Sequence, residues 1–493
     1  MVFGFLDKWK AKIIEDPTTF PEAEVEVTAQ LKVFEGWLLA CLLAHPKVGN
    51  VLQEKGEELR KNLGLRQGNL VTRSIQFLCG LVISVRCWYA APVPIKRAGR
   101  SREQGRRGKE GAGLYPELAL LGIQEGVSPN FRNEVTRQVI MLPSMELART
   151  ELKRQGLSLN IKKLFRVVHE TGNFVLALRK KWLLSWRHGA LPMGLELAGK
   201  RVAVASDGGR TRLREYPPQG RKTKSGKRKF TTPWREPKMF IIYVLDEQGK
   251  VDRTFCPVID GTMKGPDALM ELLAMHLHRL GAAKAKEGVF LGDGAEWIWL
   301  RTPWVMEKAG LEENRWHAVV DFFHVIQHVS EALEKAFPND TATKNRQRGR
   351  LKKMLKRGEL DEVINYLKRF PKKLGIAGEI AYLEFRRPLL RYDFLLKRRL
   401  PIGSGAIESA IRRVINLRLK APGMFWKEES VEPMLYMRAQ ALSGRWDEMM
   451  RNVVAIARIS RKRNVQIDPT PPCSKSRQYM LFSSNSEVEY VAA

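Results

Sequence analysis

The spacing of apolar residues changes several times along the chain. Residues 1–90 are largely apolar and read as mainly helical, with GWLLACLLA (36–44) expected as a buried helix. From about Pro94 to Gly113 the sequence is basic, glycine-rich and without apolar period, as in a linker that orders on a partner. Residues 144–172 read as two helices around a turn. Met145, Ala148 and Leu152 fall on one face, Gly156 breaks the chain, and Ser158 is placed to cap the second helix. Ile161, Leu164, Phe165 and Val168 make an apolar face on that helix, leaving Lys162, Lys163 and Arg166 outward. That is the layout of a helix-turn-helix with a basic recognition helix, and equally of a plain helical hairpin with solvated lysines.

From Lys200 the period shortens. RVAVAS (201–206), MFIIYVL (239–245) and FCPVID (255–260) read as three strands, the last two a hairpin. A helix (265–283), a strand GVFLGD (288–293), a helix (295–309), a strand WHAVVD (316–321) and a helix (322–337) come next. Charged helices fill 340–398, and a closing helix, AIESAIRRVINLRL, spans 406–419. The β-β-β-α-β-α-β-α order predicts an α/β fold with a mixed five-stranded sheet between helices, not a run of βαβ repeats. Residues 466–493 read as a loose tail.

Composition narrows the partners. Lys and Arg number 85 against 53 Asp and Glu, a net charge of +32 that makes nucleic acid the first candidate partner. A ribosomal or anionic-membrane partner fits the charge alone. No uninterrupted apolar run reaches the ~18 residues of a bilayer span, and the first residues lack a signal-peptide core. No membrane partner and a cytoplasmic, nucleoid-associated location are therefore expected. Five dispersed cysteines without a CxxC argue against a disulfide framework and a zinc knuckle.

Three carboxylates stand where phosphoryl-transfer chemistry would place them. Asp207 ends the first strand before Gly208-Gly209, and Asp293 ends another strand between Gly292 and Gly294. Glu408 lies just inside the closing helix, with Arg412 and Asn416 on its face. Carboxylates converging from separate rigid elements can hold two divalent ions about 3.5–4 Å apart, clamping attacking and leaving oxygens. Taken singly, each Asp is also an ordinary turn former, and Glu408 with Arg412 an ordinary helix surface pair.

VASDGGR (204–210), FLGDGAEWIW (290–299), VVDFFHVIQH (319–328), PIGSGAIESAIRRVINLRLKAPGMFW (401–426) and LSGRW (442–446), in this order, resemble bacterial insertion-sequence DDE transposases, nearest the Kra-type group. The resemblance covers about 200–450. It implies an RNase H-like fold, Mg²⁺ (or Mn²⁺) as cofactor, and Asp207, Asp293 and Glu408 as catalytic and metal-binding residues. It also implies a DNA-binding N-terminal region over 1–195, a catalytic domain over 196–465 and a helical insertion at 340–398. Asp321 and His324 resemble an accessory D-x-x-H signature, and equally a helix cap with a core histidine. Duplex DNA, as transposon ends and target, is the expected partner of a homodimer or larger assembly. Arg210, Lys222, Lys224, Lys227, Arg228, Lys229, Arg412 and Arg413, with Lys162, Lys163 and Arg166, are the expected DNA contacts. A nuclease that cuts without joining, and a non-catalytic DNA-binding copy, share these features.

Overall fold

The computed structural model describes residues 2–92, 113–217, 226 and 228–459. The chain forms two compact units, one running to Phe174 and taken up again from Met450, the other Val175–Met449.

The first unit opens with helices α1 (Val2–Glu15), α2 (Phe20–Ala44) and α3 (Pro46–Asn62). An antiparallel hairpin comes next, β1 (Leu65–Gln76) with β2 (Val82–Pro92), in register through Ile75↔Ile83. The expectation of helix through residue 90 fails here. The segments LVTRSIQF and VISVRCWYAA are rich in β-branched and aromatic residues, and Gly80 supplies the turn at φ +91°. Ile75, Phe77 and Cys87 form a core with Leu118 and Ile123.

The expectation that 36–44 is buried also fails. Only Ala23 and Gly36 of α2 are buried, while Trp37, Leu38 and Leu42 stay 62%, 51% and 62% exposed. The reason is which side is small. A Cβ at Gly36 would sit 3.1 Å from Leu81, so the glycine face meets the hairpin and the bulky face turns outward. By length and composition, Pro17–Ala44 is also long and apolar enough to cross a membrane.

Helices α4 (Pro116–Leu120), α5 (Pro129–Met141), α6 (Met145–Arg154) and α7 (Ile161–Arg187) complete this region, α7 running on into the second unit. Ser144 caps α6 through Leu147 N at 3.0 Å. Gly156 breaks the chain at φ +90°, but Asn160, not Ser158, caps α7, its Oδ1 accepting from Lys163 N at 2.8 Å. The buried stripe of α7 is Leu164, Val167, Val168 and Thr171, whereas Ile161 and Phe165 are exposed. Lys163 does not point outward as expected. Its Nζ donates to Gln76 Oε1 and lies 5.6 Å from the Phe131 ring, and burial lowers its pKa. Lys162 and Arg166 are exposed.

The second unit is built on β3 (Arg201–Gly208), a short ribbon β4 (Thr211–Arg212) and β5 (Trp234–Arg235), then β6 (Lys238–Leu245) and β7 (Val258–Thr262). Next come α8 (Pro266–Leu280), β8 (Glu287–Gly292), α9 (Glu296–Trp299), α10 (Thr302–Ala309), β9 (Trp316–Val320) and α11 (Phe322–Ala336). The 340–398 segment is helical, as α12 (Thr341–Lys356), α13 (Leu360–Lys368), α14 (Ala377–Phe385) and α15 (Tyr392–Lys397). The chain then continues through α16 (Gly405–Ile411), α17 (Glu428–Leu442) and α18 (Trp446–Ile459).

The five-stranded sheet has the order β7-β6-β3-β8-β9. β6 is antiparallel to β3 and β7, while β3, β8 and β9 are mutually parallel. Every residue of β6, β7 and β9 is buried, as expected of strands covered on both faces. One buried ionic cluster pins the β7 edge. Arg179 reaches Asp260 at 2.8 Å and also Glu432, and Asp260 meets His276 at 3.2 Å. His276 is thus a structural partner of Asp260.

At the opposite end of the strands Glu287 accepts from Arg398 Nε at 2.6 Å and lies 3.3 Å from His317. Burial opposes its charge, but His317 and Arg398 outweigh that and bring its pKa down to about 2. A carboxyl depressed in the fold stabilises it above its unfolded value near 4.3, and that gain is lost as pH falls toward 2. Glu287→Gln is therefore expected to cost about 2 kcal/mol in urea unfolding at neutral pH and nothing near pH 2. Equal stability of the two proteins at neutral pH would contradict this.

Candidate active site

Strand register sets the site. Ser206 pairs with Gly292, and Gly292 with Val320, on three neighbouring parallel strands. The next residues are Asp207, Asp293 and Asp321, so three aspartates line one end of the sheet. Parallel α/β sheets place their ligand sites at this carboxyl end. Asp321 N donates to Gly292 O at 2.7 Å, which locks the row together.

Asp207 and Asp293 each use one oxygen locally. Asp207 Oδ1 accepts from Gly208 N at 2.6 Å, and Asp293 Oδ1 from Ala295 N at 2.9 Å. The local turn role and the site position thus coexist in the same side chains. Burial pushes the Asp207 carboxyl up to about 6, and the charges of Asp293 and Glu408 push the same way, against the Gly208 N–H and His324.

Glu408 is brought in by α16, which lies against β3 and β6. Ile407, Ala410 and Ile411 face the sheet, while Glu408, Arg412 and Asn416 are exposed. Gly209 makes this approach possible, since a Cβ there would fall 2.4 Å from Ile415 Cδ1. From Arg412 to Leu419 the helix widens into a π-helix, and the Arg438 guanidinium donates to the Arg413 and Val414 carbonyls. π-segments of this kind recur at functional sites. Arg413 is only partly exposed, and its Nε turns back to Ser409 O at 3.3 Å.

The tightest ligand-type cluster among the described residues is not Asp207, Asp293 and Glu408. It is Asp321, His324 and Glu408, whose ligand atoms lie within 4.8 Å of one another. Asp321 is fully buried. It accepts from Phe323 N at 2.6 Å, from His324 N at 3.1 Å and from Ser404 N. Burial opposes its charge, yet His324 and Ser404 hold the carboxyl well below the usual range. One carboxylate therefore caps α11 and straps down the loop that leads into α16. His324 Nδ1 lies 3.5 Å from Asp321, and Asp321 first, then Asp293 and Glu408, raise its pKa.

Of the basic residues expected on DNA, Arg210, Arg228 and Lys229 are exposed. Lys222, Lys224 and Lys227, like most of the 94–113 linker and the 466–493 tail, lie outside the described residues. Three site neighbours carried no signal in the sequence. Ser404 receives the Asp321 strap, and Arg386 Nε donates to Gly294 O at 3.0 Å. Tyr382 stacks on His328 with centroids 3.6 Å apart, and its hydroxyl fills the space a Gly294 Cβ would take, at 2.3 Å.

The donor set suits a hard divalent cation. Asp207, Asp293 and Glu408 offer carboxylate oxygens, which Mg²⁺ and Mn²⁺ prefer, and such an ion would offset both the burial that chiefly raises Asp207 and the Asp293 and Glu408 charges that add to it.

The sequence matches no family model and no curated protein. Among solved structures, the Drosophila P element transposase strand transfer complex aligns over 67% of this chain and 83% of that chain, with 13% sequence identity and a TM-score of 0.22. A score this low gives the likeness no weight, so the geometry of the site carries the functional reading.

Proposed function

We propose that the chain is a DNA transposase of the insertion-sequence DDE type, near the Kra-type group, with an RNase H-like catalytic unit. The observation that carries the reading is the convergence of Asp207, Asp293 and Glu408 at one end of the sheet, from two adjacent parallel strands and a helix packed beside them. The β3-β6-β7 meander extended by parallel β8 and β9 supports the RNase H-like assignment. The charge of +32 supports a polyanionic substrate.

In this reading Asp207, Asp293 and Glu408 hold Mg²⁺ or Mn²⁺. The bound ions supply Lewis-acid stabilisation of the phosphodiester and a hydroxide-like water at neutral pH. The chain's own residues fix the geometry. Asp207 and Asp293 are set by strand register, and Glu408 by the Asp321–Ser404 strap. Arg412, on the exposed face of the same helix, meets the phosphate backbone, as do the exposed Arg210, three residues beyond Asp207, and the exposed Arg228 and Lys229. Lys162 and Arg166 on α7 are the proposed duplex contacts of the helix-turn-helix, and His324 positions Glu408. Duplex DNA nicked by the wild-type chain only with Mg²⁺ or Mn²⁺ added is the expected result. Binding without nicking under any divalent ion would leave a DNA-binding protein and end the enzyme reading.

Assembly on two DNA ends calls for a dimer, and α2 offers the surface. Val27, Leu31, Phe34 and Leu38 succeed one another at four-three-four spacing and are 39–62% exposed, the pattern of a helix-pairing seam. Light scattering is expected to show a dimer that Leu31→Glu with Leu38→Glu converts to monomer; an unchanged mass contradicts the assignment.

A further inference from the structure

The β3–β6 hairpin does not stop at Asp207. Gly209 N donates to Pro237 O at 2.9 Å, β4 and β5 then pair Thr211 with Arg235 and Arg212 with Trp234, and Glu215 and Thr231 exchange N–H···O bonds of 3.1 and 2.9 Å. Trp426 adds a third edge, donating to Arg212 O at 3.1 Å while Arg214 N donates to Trp426 O at 2.7 Å. The 211–215 strand is therefore hydrogen-bonded on both sides, to β5 and to Trp426.

Side chains on a ribbon alternate between its faces. Thr211 and Leu213 point inward and are buried, Thr211 Oγ1 donating to Leu419 O at 3.1 Å. The other face carries Arg212, Arg214 and Tyr216 on one strand, with Trp234 and Phe230 opposite. The Arg212 guanidinium lies 4.5 Å from the Trp234 ring and that of Arg214 4.5 Å from Phe230. Phe230 in turn meets Tyr216 at 5.8 Å and Phe425 at 6.0 Å between centroids. Trp234, Tyr216 and Phe230 are nevertheless 45%, 40% and 39% exposed. Arg214 Nε is buried without a hydrogen-bond partner. A solvated ribbon has no use for three exposed rings.

Ring faces interleaved with arginines match unpaired nucleotides, because every base offers a stacking face once it leaves the duplex. Charge complementarity, with the Arg212 and Arg214 guanidinium groups set among the rings, favours a phosphate-bearing strand over a protein segment. We propose that this ribbon binds single-stranded DNA beside the scissile phosphate, stacking unpaired bases on Trp234, Phe230 and Tyr216 with Arg212 and Arg214 on the backbone. The inference rests on the DNA-cutting reading and names the form of substrate that site takes. Arg212 lies five residues beyond Asp207, so the platform starts within about 17 Å of the acid at ~3.3 Å per residue. That is about five base steps at 3.4 Å.

The test uses the full chain, a fluorescein-labelled single-stranded oligonucleotide and the blunt duplex of the same sequence, read by anisotropy. Trp234→Ala with Phe230→Ala is expected to weaken single-strand binding about tenfold or more and leave duplex binding within about twofold, and Trp234→Phe to keep most of the wild-type affinity. Unchanged single-strand affinity in the double variant, or an equal fall on duplex, overturns the proposal. Neither outcome touches metal-dependent nicking, whose absence in the wild type would instead remove the DNA-cutting reading.

Discussion

Asp207→Asn is expected to lower metal-dependent DNA cleavage by about a thousandfold or more while leaving duplex affinity within about twofold. A bound metal supplies several kcal/mol of charge stabilisation, and each ~1.4 kcal/mol is a decade in rate. Asn keeps the shape and the Oδ1 acceptor for Gly208 N but removes the charge. The same substitution is expected to stabilise the fold. The Asp207 carboxyl titrates near 6 in the folded chain against about 3.9 when unfolded. Keeping it ionised therefore costs stability, a cost that is absent below about pH 4, grows through pH 6 and is full above it. Asp207→Asn should gain roughly 1–3 kcal/mol at neutral pH, the usual exchange of stability for a charged site. Cleavage within tenfold of wild type, measured on the same preparation that binds DNA, would contradict the role assigned to Asp207.

Asp321→Ala is expected to be the most damaging single change to the fold of the second unit. The buried carboxylate accepts from the backbone N–H groups of Phe323, His324 and Ser404. Loss of a helix cap costs about 0.5–2 kcal/mol, and each buried N–H left without an acceptor a further ~1–3 kcal/mol. The total loss expected is about 3–5 kcal/mol, to be read from the midpoint of urea unfolding. Asp321→Asn should fall between, because its amide keeps one acceptor but offers Ser404 N an N–H. Where the Ala variant remains folded, its cleavage rate is expected to drop about a hundredfold with Km little changed, since a misplacement of about 1 Å at the site costs that much. Wild-type stability in Asp321→Ala would show that the strap is dispensable.

Much of the second unit is legible in the sequence because its signals are local. A short apolar run ending in Asp-Gly marks both Asp207 and Asp293, and the helical period of 265–283 places α8. The site's fine geometry is not, because it is made by distant pairs. Asp321 meets Ser404 83 positions away, and Arg386 meets Gly294 92 positions away. Nothing in either segment's own pattern announces its partner. In the first unit the errors were of period and of face. The β1–β2 hairpin is masked by the long apolar helices that precede it, and α2 buries its small residues and exposes its large ones. Lys163 reads as outward when the stripe is centred on Ile161 and Phe165, whereas the buried face turns toward Val167 and Thr171 around the shared Leu164 and Val168.

The most direct measurement is a strand-transfer assay. DNA carrying the two flanking ends of the gene is incubated with labelled target DNA and Mg²⁺, using wild type and Glu408→Gln. The account predicts joined products from the wild type alone, with both proteins binding the ends equally. Cut ends that never join would make the chain a nuclease, and equal joining by Glu408→Gln would remove Glu408 from the site and with it the three-carboxylate account.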